Sequence, residues 1–267
     1  MARSARLARV HRRSRALVAL SALVFPFGAH HPHPGILPPL HPAANVAPSP
    51  NFAESCRTNA FDNSTACAVA IVEATDAARA GEDVGPLHFS VAKFLSQSRA
   101  VQLFVLTNLE REDRGLPVFN TLSTHLDAIA MRSALADADP VIAGSHATLP
   151  GGATIVAWGG NLANNTYNTL ASSYFWMYED GPGAYNLGCA AVGDSGCWAH
   201  RLNILGSYPR AATNCAGYPI QRAMGAAATL AGSPAVPSIT TLFVAACGSP
   251  DSDAVITWTA AAKAVGA

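Results

Sequence analysis

The sequence has few charged residues and no long apolar run. Only 13% of the 267 residues are charged and half are apolar, so the chain can build a core and is not a solvated disordered polymer. The first 30 residues contain no acid but hold six arginines, the last of them Arg15. Without these arginines, 11 basic residues remain against 17 acidic ones, a formal charge of −6. Phosphate backbones repel such a charge, which argues against nucleic acid as a partner.

Several well-known site motifs are also missing. The chain has no Cys-x-x-Cys, no His-Glu-x-x-His, no phosphate-binding loop and no glycine-rich dinucleotide turn. A zinc ribbon, a zincin protease and a Rossmann-type enzyme are therefore not indicated.

The N-terminal region has the pattern of an export signal. An arginine-rich head precedes an apolar run over residues 16–29, which Pro26 interrupts. A membrane-spanning helix needs about 20 apolar residues, so we interpret residues 1–29 as a cleaved signal peptide and expect a secreted, extracellular protein without a transmembrane anchor. The adjacent Arg12 and Arg13 leave the Sec and twin-arginine routes both open. Residues 30–53 are rich in proline and histidine and predict an extended linker.

Six cysteines in an exported chain predict three disulfides, for which the sequence allows 15 pairings. Pairing of nearest neighbours is the simplest arrangement: Cys56 with Cys67, Cys189 with Cys197, and Cys215 with Cys247. Such bridges stabilise small extracellular domains.

The order of helical and strand patterns favours an α+β fold. Capping residues and apolar periodicity predict helices near residues 63–79, 98–114, 122–134, 169–180 and 198–205. Clusters of β-branched and aromatic residues predict strands near residues 153–158, 223–230 and 239–245. Because the helices come first, we expect them to pack on a small, mostly antiparallel sheet.

Four motifs in this order resemble the CAP superfamily, the SCP-like extracellular domain of sperm-coating, pathogenesis-related and venom-allergen proteins. The match covers residues 92–246. Its motifs are the Asn-x-x-Arg helix starting at Asn108 and ending in Gly-Leu-Pro, the segment Trp158-Gly-Gly-Asn-Leu-Ala163, the helix end Trp176-Met-Tyr-Glu179, and the segment Trp198-Ala-His-Arg-Leu-Asn-Ile-Leu205. The resemblance implies a three-layer α-β-α sandwich over residues 92–250. A helical extension over residues 54–91 would precede it, and a tail over residues 251–267 would follow.

The resemblance also implies a polar cleft. In the family, two histidines and two glutamates line this cleft, and the histidine pair can hold a divalent metal. Carried over, the cleft residues are Glu179, His200 and His146, with Asn161 and Asn203 beside them. Gly160 stands where the family has its first glutamate, so a zinc site at His200 and His146 would be weak. We expect no other cofactor.

The expected pair of Glu179 and His200 has two interpretations. A carboxylate at a helix end can hydrogen-bond an imidazole one loop away and orient its ring for chemistry. The same pair can simply satisfy a buried polar cleft and hold one helix to another. No nucleophile with a positioned base is visible, which favours the second interpretation.

The segment Gly193-Asp-Ser-Gly196 matches the serine motif of chymotrypsin-like proteases. It lies within a short disulfide loop rich in turn-forming residues, so we interpret it as a surface turn and not as a site in which Ser195 is the nucleophile.

The function expected from these observations is non-catalytic binding of a lipid, another apolar ligand or an extracellular protein partner. A cryptic hydrolase using the Glu179 and His200 cleft is the alternative, and a structural protein of the cell surface is a third possibility. The alanine-rich, arginine-over-lysine composition is typical of GC-rich bacteria.

Overall fold

A computed structural model gives the fold of residues 41–57, 61–143, 148–206, 215, 220–230, 236–248 and 253–267. These residues belong to one compact unit, residues 32–267. Helices α1 to α7 span Thr65–Ala80, Val91–Leu95, Arg99–Glu112, Thr124–Ala136, Thr169–Tyr178, Ala199–Leu205 and Trp258–Val265. Strands β1 to β5 span Thr121–Ser123, Thr154–Asn164, Ile220–Ala228, Ser238–Cys247 and Ala254–Thr257. The predicted signal peptide, most of the predicted linker and His146 lie outside the described residues.

The longer helices begin where polar capping residues predict. The side chains of Ser64, Ser98 and Asn168 accept hydrogen bonds from the first turns of α1, α3 and α5, which satisfies amides that have no partner within the helix. The predicted start of the next helix at Leu122 is wrong. Leu122 lies in β1 and α4 begins two residues later, because Ser123 is its N-cap.

The five strands form one mixed sheet in the order β2-β4-β3-β1-β5. The pairs β2–β4, β3–β4 and β1–β5 are antiparallel, and β1–β3 is parallel. The predicted mostly antiparallel sheet and the α+β class are confirmed. Strand β2 is longer than its pattern indicates and includes the whole segment from Trp158 to Ala163.

Helices pack on both faces of the sheet. Met224 of β3 and Phe243 of β4 join the main hydrophobic cluster with residues of α1, α3 and α5. Ala223 and Leu242, which point to the other face, pack with Leu126 of α4. Alternate residues of a strand point to opposite faces, so β3 and β4 lie between α4 and the helices of the main cluster.

The N- and C-terminal parts of this unit contribute to the same core. Ile71 of α1 and Val265 of α7 are fully buried in the main cluster, and β5 pairs with β1. Helices α1 and α7, which lie in the ranges assigned from sequence to a helical extension and to a tail, therefore contribute to the core.

Three disulfides join Cys56 to Cys67, Cys189 to Cys197 and Cys215 to Cys247. This is the nearest-neighbour pairing, and three such bridges suit an extracellular protein. Within the described ranges, no helix combines the length and the apolar character that crossing a bilayer requires.

Candidate functional site around Asp180 and His200

Asp180 joins the end of α5 to the start of α6. It follows α5 by two residues and is almost completely buried. Its Oδ2 accepts hydrogen bonds from the backbone amides of His200 (2.9 Å) and Arg201 (3.3 Å). Trp198, the N-cap residue of α6, makes no side-chain cap. The carboxylate of Asp180 is distant in sequence, but it takes the place of an N-cap side chain for α6.

The same carboxylate binds the ring of His200. The distance from His200 Nδ1 to Asp180 Oδ1 is 2.6 Å, and the two side chains are 22% and 2% exposed. Asn186 Nδ2 donates to the same oxygen at 2.7 Å, and the ring of Trp176 stacks beside the imidazole at 6.4 Å. With Nδ1 engaged, Nε2 is the nitrogen that remains for a ligand.

The sequence predicts Glu179 as the partner of His200, but the structure gives that place to Asp180. The amide of Glu179 still donates to Phe175 O, so Glu179 closes the last turn of α5 and the chain turns towards α6 only at Asp180. Glu179 makes no side-chain hydrogen bond or ion pair with any residue that the structure describes. Partial burial raises its pKa. The sequence does contain a signal for this contact: two adjacent acids, Glu179 and Asp180, stand at the end of the helix, and either could have been the partner of His200.

Asn161 and Asn203 connect α6 to β2. Asn161 Nδ2 donates to His200 O at 3.1 Å, and Asn203 Nδ2 donates to Asn161 Oδ1 at 3.0 Å and to Gly160 O at 2.8 Å. The structure thus brings together three of the predicted cleft residues, Asn161, His200 and Asn203. Their contacts fix the backbone of the site.

Gly160 cannot carry the side chain that the CAP resemblance places there. A Cβ atom at Gly160 would lie 2.5 Å from Pro140 Cγ and 3.2 Å from Pro140 O. Gly160 pairs with Leu242 and Asn161 with Thr241, so Gly160 points to the α4 face of the sheet and Asn161 to the opposite face. Pro140 fills the space that a glutamate would need.

The predicted zinc site rests on His200 alone in the described part of the chain. No group of three or more His, Cys, Asp or Glu side chains that could hold a metal lies within it, and both oxygens of Asp180 already accept hydrogen bonds. Zinc requires three or four protein ligands. The described residues do not fit a zinc ion, and we derive no chemistry through one.

A cluster of buried charges anchors the His200 segment to α3 and to the residues that follow α1 and α3. Arg201 binds Glu82 at 2.9 Å and donates to Met177 O at 2.7 Å. Glu82 also binds Arg114 at 2.7 Å, and Arg114 pairs with Glu110. Because each arginine shares its carboxylate with another, α6 is fixed to the helical core through this network.

The loop between Asp180 and Trp198 is held at its base by hydrogen bonds and a disulfide, and it exposes apolar side chains to solvent. Asn186 donates to Asp180 O (3.1 Å) and Gly196 O (2.8 Å), and the Cys189–Cys197 bridge closes the loop. Three large apolar side chains of this loop are almost fully exposed: Tyr185 at 95%, Leu187 at 98% and Val192 at 89%.

Ser195 lies on the exposed surface of this loop. Its neighbour Asp194 accepts a hydrogen bond from Ala191 N at 2.8 Å, as in a turn. Within the described residues, Ser195 makes no hydrogen bond to His200.

The N-terminal segment crosses over the base of the loop. His41 stacks on Trp198 at 5.4 Å. Asn45 accepts from Gly181 N (2.7 Å) and donates to Pro182 O (2.8 Å). The residue at 181 must be glycine, because a Cβ atom there would lie 2.5 Å from the Trp198 ring. The end of the predicted linker is therefore part of the site's framework.

Comparison with known proteins identifies no relative of this chain. A scan against protein-family models, a search of curated proteins and a search of solved structures each find no match to this chain.

Proposed function

We propose that this protein is an extracellular binding protein of CAP type, which recognises a lipid or another apolar ligand through the loop of residues 181–198. The four sequence motifs support the CAP assignment, together with a sheet that has helices on both faces. The proposed activity is binding without turnover.

The observation that carries the proposal is the near-complete exposure of Tyr185, Leu187 and Val192 on one short loop. Large apolar side chains in contact with water are costly and mark interaction sites when several lie together. Tyrosine also suits the boundary between an apolar phase and water.

The framework of the loop supports the same conclusion. The disulfide and the hydrogen bonds of Asn186 hold the loop in place before any ligand binds, and less conformational entropy is then lost on binding. The contacts of Asp180 with α6 also belong to this framework, because they fix the segment at which the loop ends. On this proposal, Asp180 and His200 position the loop and transfer no proton.

A hydrolase is the second candidate, and one observation favours it. The Asp180 and His200 pair, with a 2.6 Å contact and a partly exposed ring, is the arrangement by which a carboxylate orients a general base. Ser195 is the nearest hydroxyl in sequence, but it lies in the exposed turn.

One experiment separates the two candidates. The exported protein is purified from culture medium, and its bound lipids are measured by native mass spectrometry and by extraction. The variant Tyr185→Ser/Leu187→Ser/Val192→Ser is compared with Leu135→Ser/Leu230→Ser/Val255→Ser, which alters exposed apolar residues elsewhere. We expect the loop variant to lose bound lipid and the control variant to retain it.

Two outcomes would contradict binding at the loop: absence of any bound apolar molecule, or equal retention by the two triple variants. Labelling of Ser195 by a fluorophosphonate probe, lost in His200→Ala, would support the hydrolase instead.

A further inference from the structure

We infer that a groove beside α4 is a second, separate binding site, whose ligand is a short single-chain amphiphile with a carboxylate head. Its lining includes residues of α4, the segment 141–143 and β2. The groove lies on the α4 face of the sheet, whereas Asn161 and its contacts with α6 lie on the opposite face. The inference does not depend on the function proposed for the 181–198 loop.

The floor of the groove is aliphatic. Leu126 and Ile129 come from α4, Ile142 from the following segment and Ile155 from β2. Leu126 and Ile142 are buried in the small cluster between α4 and the sheet, and Ile129 and Ile155 pack against that cluster. The cavity measures about 240 Å³, which is below the range of roughly 300–1,000 Å³ for drug-sized ligands. A short acyl chain matches this size and this lining.

The basic side chains on the lining come from two turns of one helix. His125 and Arg132 both line the groove, and residues seven apart lie on nearly the same side of an α-helix, about 10 Å apart along its axis. Both are exposed. Arg132 forms no ion pair or hydrogen bond with a described residue, so its guanidinium can bind a ligand without first breaking a contact.

The aliphatic floor of the groove and the positive charge of Arg132 together determine which class of ligand fits. Burial of an alkyl chain stabilises the complex in proportion to the apolar area removed from water. A guanidinium presents two parallel N–H donors that match the two oxygens of a carboxylate. A neutral alkyl chain would contact only the aliphatic floor, and a cationic amphiphile would be repelled by Arg132. An amphiphile with a carboxylate head satisfies both features.

The test compares octanoate with octanol by isothermal titration calorimetry on the folded, oxidised chain. We expect octanoate to bind about two- to fivefold more tightly, the effect of one ion pair at an exposed site. The variant Arg132→Gln should bind the two ligands equally. The matched control Lys93→Gln, which removes an exposed cation of α2, should keep the preference.

A second variant and a mapping experiment test the location. Ile129→Trp fills the groove and should weaken both ligands, while thermal melting checks that the variant folds. A diazirine analogue of octanoate should crosslink to α4 or to residues 141–143.

Three results would overturn the inference: equal affinity of the unmodified chain for octanoate and octanol, a preference that survives in Arg132→Gln, or crosslinks confined to other elements. The loop variant Tyr185→Ser/Leu187→Ser/Val192→Ser should bind octanoate normally, so failure at one site is distinguishable from failure at the other.

Discussion

Gly160 and Pro140 show how a single contact limits the chemistry of a strand. Because Pro140 Cγ lies only 2.5 Å from where a Cβ atom at Gly160 would be, no larger residue fits at this point of β2 unless the proline moves. The polar residues that remain on the other face, Asn161 and Asn203, bind backbone and each other. Pro140 thus keeps a larger side chain out of position 160, on the face of the sheet opposite to Asn161.

Substitution of Gly160 tests this contact. We expect Gly160→Ala to destabilise the protein by about 1–3 kcal/mol, the usual cost of overpacking. The matched control is Gly85→Ala, since a Cβ atom at Gly85 meets nothing within 4 Å. Urea unfolding of both variants measures the difference. Equal stability of the two variants would contradict the proposed role of Pro140.

Asp127 predicts a pH dependence of stability. Burial raises its pKa from 3.8 to about 6, with a further contribution from Asp253 and an opposing one from its hydrogen bond with Ala226 N. The folded state therefore binds this proton more tightly than the unfolded state, so Asp127 lowers stability progressively as the pH rises from about 4 to about 6.

The variant Asp127→Asn keeps an oxygen acceptor for Ala226 N but cannot ionise. We expect it to exceed the unmodified protein in stability by roughly 1–3 kcal/mol at pH 7, and the gap to close towards pH 4. Urea unfolding at four pH values measures this gap, with the exposed Asp139→Asn as the control. A gap that stays constant between pH 4 and pH 7 would show that Asp127 does not titrate in this way.

At the scale of secondary-structure elements, buried ion pairs hold the helices to one another. Glu110 of α3 binds Arg79 of α1 at 2.8 Å and also pairs with Arg114. Burial alone would raise the pKa of Glu110, but the two arginines hold it below its ordinary value. Arg201 extends the network to α6 through Glu82. The position of His200 therefore depends on charges in helices far away in sequence.

Removal of the Glu110 charge should leave buried arginines without a partner. We expect Glu110→Gln to cost about 3–5 kcal/mol, whereas Glu112→Gln, an exposed position of the same helix, should change stability by less than about 0.5 kcal/mol. Denaturant unfolding at pH 7 provides the comparison. Because the pKa of Glu110 is lowered, its stabilisation is present above the ordinary value of 4.5 and is lost as the pH falls through the lowered one. Equal losses in the two variants would rule out this role for Glu110.

The sequence predicts the elements with strong local signals and misses the shortest strands. Helices α1, α3 and α5 have polar caps and apolar periodicity, and β4 is a run of β-branched and aromatic residues. Strands β1 and β5 have only three and four residues, and neither has enough positions to show a period. Their existence depends on pairing with each other and with β3.

The sequence motifs point to three residues that lie together in the candidate site, but not to the carboxylate that pairs with His200. His200, Asn161 and Asn203 come together as the motifs indicate. Which of two adjacent acids reaches His200 depends on where α5 ends, and helix ends are uncertain by one or two residues in sequence. The ion pair between Arg201 and Glu82 joins residues 119 positions apart. No local sequence pattern predicts such a contact.

At the scale of the whole molecule, the C-terminal residues complete the core. Ala261 and Val265 of α7 are fully buried, and Val265 O accepts a hydrogen bond from Ser90 N at 2.9 Å. Trp258 N donates to Asn120 O, also at 2.9 Å. Helix α7 thereby connects the segments on both sides of α3.

Deletion of residues 258–267 should therefore reduce the stability of the whole unit. We expect a loss of about 3 kcal/mol or more from the exposed apolar surface and the lost packing, visible as a lower melting temperature. Lys263→Ala, at an exposed position of the same helix, is the control and should melt normally. A truncated chain that melts at the temperature of the full chain would show that α7 is dispensable.

The border of the sheet at β2 has a further consequence. In the described part of the chain, β2 is an edge strand of the sheet, and the unpaired backbone groups of an edge strand are a template for fibril growth. Trp176 Nε1 donates to Leu162 O at 3.2 Å and Asn203 Nδ2 to Gly160 O at 2.8 Å, so two helices occupy carbonyls that an incoming chain would otherwise use. These two contacts therefore also protect the edge of the sheet against strand-to-strand self-association.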